Sequence, residues 1–227
     1  MAWKRRTDST FALCELMGAE GLTYCSVPAL QLLASEAAKA DKAPAEAMFL
    51  EVGCARGGSS IVISKSKSPL RRFEVYDVFG RIPPPTEQDF ADSHQRYQVI
   101  SEGKAKGLGG GTYYGYDQDL LTQVKRSFEL HGVPPAGNSI VFVEGDVRKT
   151  LDPMHPIAFA HIDCDWYEPV RFSLAKIIDR LIPGGAIVID DYYCYKGCTA
   201  AVWDTFREKL DEFDFTYGER LKITKSI

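Results

Sequence analysis

The chain has 227 residues, with 27 Lys plus Arg against 31 Asp plus Glu and a net charge of −4. That length suits one α/β domain with a substantial core and is too short for two of comparable size. The acidic balance, with basic residues scattered apart from Lys4-Arg5-Arg6, argues against nucleic acid as a partner. No apolar run approaches the roughly 18 residues that cross a bilayer, so no membrane partner is expected. The N-terminus lacks the hydrophobic stretch of a signal peptide. A cytoplasmic location follows, with the six dispersed cysteines as buried free thiols. Cys194 and Cys198 have no second pair at zinc-ligand spacing.

Residues 1–47 read as an Ala-rich helical segment in which Leu30, Leu32, Leu33 and residues 37–40 mark a helix packed on the main domain, residues 48–227. The same segment offers a surface for a homo-oligomer. Residues 48–52 form a short apolar strand ending in Gly53, followed by a Gly-rich turn and a helix that starts near Ser59. A second strand over 72–76 ends at Asp77, and a third over 140–143 ends at Glu144-Gly145-Asp146. Residues 79–115 break the rhythm. Pro83-Pro84-Pro85 and residues 107–111 flank a polar stretch holding His94, Arg96 and Tyr97, longer than an ordinary connection and placed as a lid over the strand ends. Fourth and fifth strands over 157–162 and 186–189 are joined by a helix over 166–182 and the turn Pro183-Gly184-Gly185. Residues 213–217 and 221–224, separated by Gly218-Glu219-Arg220, close the chain as a hairpin. Strands alternating with helices predict a parallel-dominated sheet.

Two acidic clusters, His161-Ile162-Asp163-Cys164-Asp165 and Ile189-Asp190-Asp191-Tyr192, close the fourth and fifth strands. One β-α-β unit puts both at the carboxyl edge of the sheet, where open α/β sheets bind ligands. Carboxylates crowded there repel, and a divalent cation reconciles them most simply, with hard oxygen ligands favouring Mg²⁺, Ca²⁺ or Mn²⁺. The competing reading makes Asp163 or Asp165 a helix cap and Asp190-Asp191 a solvated turn. His161 reads as strand packing.

The run Glu51-Val52-Gly53-Cys54-Ala55-Arg56-Gly57-Gly58-Ser59 has the strand-turn-helix context in which glycine lets backbone approach a ligand and a helix N-terminus offers free N–H groups. A dinucleotide fingerprint would need glycine at Ala55, which disfavours a dehydrogenase. The pattern instead resembles motif I of class I S-adenosylmethionine-dependent methyltransferases, and makes Glu51, Gly53, Arg56, Gly57 and Ser59 the candidate contacts for the amino-acid part of that cofactor. Arg56 serves either the cofactor carboxylate or the surface. Asp77 is placed to accept the ribose hydroxyls, or is a solvated loop carboxylate. Gly145 and Asp146 fall where adenine would lie, with Asp146 alternatively capping the next helix.

In this order, the Gly-rich turn, Asp77, the run from His161 to Pro169, Pro183-Gly184-Gly185 and Asp190-Asp191-Tyr192-Tyr193 resemble the macrocin O-methyltransferase (TylF/MycF-like) family over roughly residues 25–215. The resemblance implies the class I methyltransferase (Rossmann-like) fold, a doubly wound, mostly parallel seven-stranded α/β sheet. It also implies S-adenosylmethionine as methyl donor and Mg²⁺, or another divalent cation, held by Asp163, Asp190 and Asp191. The reaction implied is O-methylation of a small-molecule acceptor, a natural product and most simply its sugar. The general base stays open between Asp163, which also lies against the cofactor, and Asp165. Catechol-type relatives carry lysine where Trp166 stands, which disfavours a catechol acceptor. A phenolic acceptor and a non-catalytic cofactor-binding protein are the alternatives. Trp166 and Tyr167 either stack on the acceptor or pack the following helix.

Overall fold

Apolar side chains in the strands divide by parity between two faces, and a helical layer covers each. The computed structural model describes residues 2–226, with side chains from Ser9 onward, so the side chains of Lys4, Arg5 and Arg6 lie outside the described residues. Strands β1 (Met48–Val52), β2 (Phe73–Asp77), β3 (Ile140–Glu144), β4 (Ile157–Ile162), β5 (Leu181–Ile189), β6 (Phe213–Thr216) and β7 (Leu221–Lys225) form one seven-stranded sheet in the order β3-β2-β1-β4-β5-β7-β6. Strands β1 to β5 pair in parallel, and β7 runs antiparallel to both β5 and β6. This is the expected doubly wound, mostly parallel sheet. Its order reverses between β1 and β4, and the crevice at that reversal is where such sheets take ligands.

The helices are α1 (Ala2–Ala19), α2 (Val27–Ala40), α3 (Gly58–Ser66), α4 (Ala91–Ser101), α5 (Leu120–Leu130), α6 (Val147–Thr150), α7 (Tyr167–Ile178) and α8 (Lys196–Phe206). Phe49, Phe73, Val75, Phe159 and Val188 share one core with α2, α3 and α5, and Leu50, Ile162, Ile187 and Ile189 share the other with α7 and α8. Ser26 caps α2 by accepting from the Ala29 N–H at 3.2 Å, and Leu30, Leu33, Ala34 and Ala37 are buried along its inner stripe. No helix among the described residues is long and apolar enough to cross a membrane.

Two elements differ from expectation. The helix predicted over 166–182 ends at Ile178, and β5 begins at Leu181, ahead of the glycines. Leu181 pairs with Ile157 and is 2% exposed, so its side chain belongs to the sheet. The next pairing is Phe159 with Ala186, and Pro183-Gly184-Gly185 is the irregularity between them, with Gly184 at φ +74°. A helix not anticipated from sequence is α5, which buries only Leu120, Val124 and Phe128, a single stripe at four-residue spacing.

Arg71 fastens the connection from α2 to β1. The side chain is buried and donates to the carbonyls of Asp41 (2.9 Å), Ala43 (2.8 Å), Ala47 (2.6 Å) and Pro44. Replacing it strands buried acceptors, so Arg71→Met is expected to lower unfolding free energy by about 3 kcal/mol. Arg71→Lys should recover less than half, because one ammonium cannot span the fork. Urea unfolding checks both, and an unchanged midpoint in the Met variant would contradict the role.

Candidate active site

The Gly-rich turn is pressed against the end of β4. Gly53 adopts φ +83°, and a Cβ there would stand 1.7 Å from the backbone oxygen of Asp163. The Gly53 N–H donates to Tyr76 O at 2.8 Å and the Asp163 N–H to Val52 O at 2.8 Å, so three neighbouring strand ends are stitched at one point. Asp77, at the end of β2, accepts from the N–H groups of Cys54 (2.7 Å) and Ala55 (3.1 Å) with one oxygen and from Phe79 N–H (2.7 Å) with the other. Burial raises its pKa, and those N–H groups work against the rise. Its carboxylate clamps the turn while lining the cavity beside it. Ala55 holds φ +47°, a left-handed conformation, where the dinucleotide pattern would carry glycine.

Two expected cofactor contacts face elsewhere. Glu51 is fully buried, with one carboxylate oxygen 2.7 Å from His161 Nδ1 and the other accepting from the Ser60 hydroxyl. Arg56 pairs with Asp117 at 2.7 Å and donates to Thr112 O, anchoring the far end of the insertion. Neither lines a cavity. Strand parity explains Glu51, and the rim of the turn explains Arg56. Ser59 lines the larger cavity, and Gly57, at φ +89°, shapes the turn over Phe128.

Two adjoining cavities open at the carboxyl edge and share Gly53, Asp77, Tyr114, Asp163, Asp165 and Trp166. One, about 570 Å³, runs past Tyr76, Ile82, Gly145 and Asp146. Asp146 also caps α6 through the Arg148 N–H (3.0 Å) and pairs with the Arg148 guanidinium, so its alternative role is present too. The other cavity, about 950 Å³, is lined by Thr23, Tyr24, Arg96, Tyr113 and Arg220 along with the acidic cluster.

In that cluster, Asp163 and Asp165 are held far above the carboxylate range, first by burial and then by neighbouring aspartates. Burial and Asp190 push Asp191 up to about 6, and its Oδ2 accepts from the Asp165 N–H at 3.1 Å. Asp190 behaves oppositely. Burial opposes its charge, but His161 and Arg220 outweigh it and hold the carboxyl down to about 2, with Arg220 Nε 2.5 Å from Oδ1. His161 is fully buried, as strand packing predicts. Burial works against its protonation, yet Asp190 and Glu51 raise it to about 9. Its Nε2 has no hydrogen-bond partner and stands 3.9 Å from Asp190 Oδ1, beyond bonding reach, so that pair acts through charge. Ligand-type atoms of Cys25, His161, Asp163 and Asp190 all lie within 4.8 Å of one another.

The capping alternative for Asp163 and Asp165 fails. The first N–H of α7, that of Tyr167, is taken by Asp89 Oδ1 at 2.8 Å, from the insertion. Trp166 donates to Pro83 O at 2.9 Å and the Lys196 N–H to Asp92 at 3.0 Å, so the insertion is fastened across the site. Tyr167 packs α7 on α8 through Asp204 (2.8 Å), while Trp166, although buried, lines both cavities. His94 is exposed and lines neither cavity.

Sequence reasoning missed Arg220, Cys25 and the Thr23-Tyr24 wall. A signal for Arg220 exists: it precedes a strand antiparallel to β5, whose start pairs with Ile189 and therefore lies at the carboxyl edge. Cys25 has no such signal, because the connection between α1 and α2 is placed by a tertiary contact, the Gly58 N–H donating to Leu22 O at 2.9 Å.

The strand order and the cleft at its reversal define a class I methyltransferase fold. The chain belongs to the macrocin-O-methyltransferase (TylF) family, whose model matches residues 29–212. It is 32% identical over 177 residues to the 8-demethyl-8-(2,3-dimethoxy-alpha-L-rhamnosyl)-tetracenomycin-C 4'-O-methyltransferase of Streptomyces olivaceus, a match covering 74% of this chain and 60% of that protein. To the mycinamicin III 3''-O-methyltransferase of Micromonospora griseorubida it is 28% identical, covering 74% of this chain and 62% of the relative. The matches thus span somewhat over half the length of these relatives. Among solved structures, the O-methyltransferase NovP aligns with a TM-score of 0.70 at 20% identity, over 90% of this chain and 81% of that one. The calicheamicin methyltransferase CalS11 aligns at 0.66 with 18% identity, over 97% and 92%.

Gly53→Ala would drive a methyl group into the Asp163 carbonyl and strain φ. A loss of at least about 3 kcal/mol is expected in chemical unfolding, and wild-type stability in the variant would show that the two segments are not in contact.

Proposed function

We propose that this protein is an S-adenosylmethionine-dependent O-methyltransferase that uses a divalent cation, Mg²⁺ by the reasoning from its aspartates, to methylate a sugar hydroxyl of a natural product. The observation that carries this reading is the convergence of Asp163, Asp165, Asp190 and Asp191 on a cavity wall that the Gly53 turn also forms. Several acids at the carboxyl edge with raised proton affinity, and Arg220 the cation bonded to one of them, make a donor set that suits a cation. Asp163, Asp190 and Asp191 are the residues proposed to hold it. Its contribution would be Lewis-acid: it lowers the pKa of an alcohol that is otherwise a poor nucleophile.

The chain's own groups supply the rest. The Asp77-clamped turn and the cavity past Tyr76 and Gly145 are proposed to seat the methyl donor, with the sulfonium end toward Asp163. Asp165 is assigned as the base: burial and Asp191 raise its proton affinity, and it borders both cavities. Trp166, Tyr113 and Tyr195 wall the larger cavity with aromatic faces that stack on a sugar ring and keep water out. A sugar acceptor is supported by the rhamnosyl group in the name of one relative and by the absence of lysine at Trp166. The Asp and Arg side chains of that cavity give a polyhydroxy ligand many partners.

Asp190→Asn, at a residue that lines only the larger cavity, is expected to cut methyl transfer at least about 1,000-fold while the donor's Kd, measured by calorimetry, moves less than about threefold; 1,000-fold corresponds to about 4 kcal/mol. EDTA should stop transfer and Mg²⁺ restore it, with glycosylated acceptors turned over and catechols not. Undiminished transfer after complete chelation would end the metal assignment, and a preference for catechols would end the sugar assignment.

A further inference from the structure

We propose that an exposed ledge of tyrosines at the mouth of the larger cavity, Tyr192, Tyr193 and Tyr217, seats a flat aromatic ring system attached to the sugar, so that the acceptor is an aryl glycoside. This rests on the reading that a sugar hydroxyl is methylated at the aspartates, and it names what that sugar is joined to.

The mouth is marked by residues that line the cavity and are also open to solvent. Cys194 is exposed and Tyr24 is 46% exposed, and both line it. Tyr193 directly precedes Cys194 and is 53% exposed. The ring of Tyr192 joins the other two, its centroid 5.1 Å from that of Tyr193 at an interplanar angle of 84° and 6.1 Å from that of Tyr217 at 55°. Tyr217 is 59% exposed and follows β6, shortly before Arg220, which lines the cavity. Rings from two segments far apart in sequence thus form one open aromatic surface continuous with the cavity's edge. Contiguous exposed apolar surface of this kind, rimmed by polar groups, marks a binding site.

The ledge is rigid. Tyr192 and Tyr193 sit in the tight turn Asp191–Tyr193, where the Asp191 carbonyl accepts from the N–H groups of Cys194 (3.0 Å) and Tyr195 (3.1 Å) and the Tyr192 carbonyl accepts from the Thr199 hydroxyl (2.6 Å). The hairpin that carries Tyr217 is tied to the N-cap of α2, where the Ser26 hydroxyl donates to the Glu219 carboxylate at 2.5 Å. Rings on so fixed a backbone lose little freedom when a ligand stacks on them.

Polarity selects the occupant. Inside, the cavity presents Asp163, Asp165, Asp190, Asp191, Arg96 and Arg220, which are partners for sugar hydroxyls. Outside, the ledge presents the faces and edges of rings. A ligand matched to both has a polyhydroxy end and a flat apolar end. A free sugar would leave the ledge bare. A nucleoside-diphosphate sugar would bring its phosphates to four aspartates, where Arg220 is already paired with Asp190 and Arg96 stands over the Tyr113 ring. A glycosyl transfer onto the aromatic alcohol must therefore precede methylation.

The test is calorimetry with S-adenosylhomocysteine and Mg²⁺ present, comparing 2-naphthyl α-L-rhamnoside, methyl α-L-rhamnoside and UDP-rhamnose. The naphthyl glycoside should bind about tenfold more tightly than the methyl glycoside, as stacking on exposed rings supplies, and more tightly than UDP-rhamnose. Tyr193→Ser with Tyr217→Ser should reduce the naphthyl preference below about threefold, and Tyr193→Phe with Tyr217→Phe should keep it, because stacking needs the ring and not the hydroxyl. Equal affinity for the two glycosides, or no binding of either, overturns the proposal. So does a preference for UDP-rhamnose, a naphthyl preference that survives in the Ser variant, or one that is lost in the Phe variant. A concentration-dependent dimer in sedimentation that the Ser variant dissolves would assign the ledge to a second copy of the chain and overturn it as well. Methyl transfer that is indifferent to the naphthyl group would remove the ledge and leave the methyltransferase reading standing. Ledge-dependent naphthyl binding in a protein that transfers no methyl would do the reverse.

Discussion

The contact between Gly53 and the Asp163 carbonyl is the constraint on which the rest of the site depends. Only a residue without a side chain lets the first turn of the fold lie directly on the end of β4, and this makes the turn and the acidic cluster two walls of one cleft. On the proposed reading, a methyl donor seated on the turn and an acceptor held at the aspartates would need such contact, because in-line transfer tolerates little misplacement. Asp77 reinforces the arrangement from β2. Its three N–H partners, Cys54, Ala55 and Phe79, fix the turn and the start of the insertion to one carboxylate.

Under the cleft, a buried polar chain runs from Ser60 through Glu51 to His161 and faces Asp190. It crosses from α3 through β1 and β4 to the end of β5, and every member is buried. Buried polar groups in this number cost free energy unless satisfied, and all but Nε2 of His161 are. The aspartates above it repel one another. They are held together because the strands that carry them are fully buried, β4 along its whole length and the last residues of β5 on both faces. Asp190 stays ionised beside Arg220 and His161 while Asp163, Asp165 and Asp191 gain proton affinity, so equivalent side chains acquire different chemistry from position alone.

Much of this was legible in the sequence because local patterns sufficed. The apolar runs at 48–52, 140–143 and 157–162 are strands bounded by acid or glycine, and the parallel order follows from strands alternating with helices. The acidic clusters at 163–165 and 190–191 could be placed because β4 and β5 run parallel and adjacent. The end of α7 was misplaced because Pro183-Gly184-Gly185 resembles a helix stop, whereas burial of Leu181 against Ile157 recruits the residues before it into the sheet. Motif position alone makes Glu51 a cofactor contact and leaves Arg56 between the cofactor and the surface. Their actual partners, His161 and Asp117, lie 110 and 61 residues away, and such pairings leave no local mark.

The outer wall of the cleft comes from parts of the chain with little periodicity, and its fastening has a common logic. Pro83, Asp89 and Asp92 of the insertion bind Trp166, Tyr167 and Lys196, residues at the starts of α7 and α8 just beyond the two acidic clusters. Helix starts have N–H groups without intrahelical partners, and the insertion supplies Asp89 and Asp92 as acceptors there. The same two bonds that complete those helices therefore bring Arg96, Tyr113 and Tyr114 over the aspartates. Arg220 arrives by a different route, through the antiparallel return of β7 along β5. Insertion and hairpin thus add two guanidinium groups to the acidic cavity, Arg96 over the ring of Tyr113 and Arg220 on Asp190. That countercharge offsets the mutual repulsion of the aspartates in the cavity.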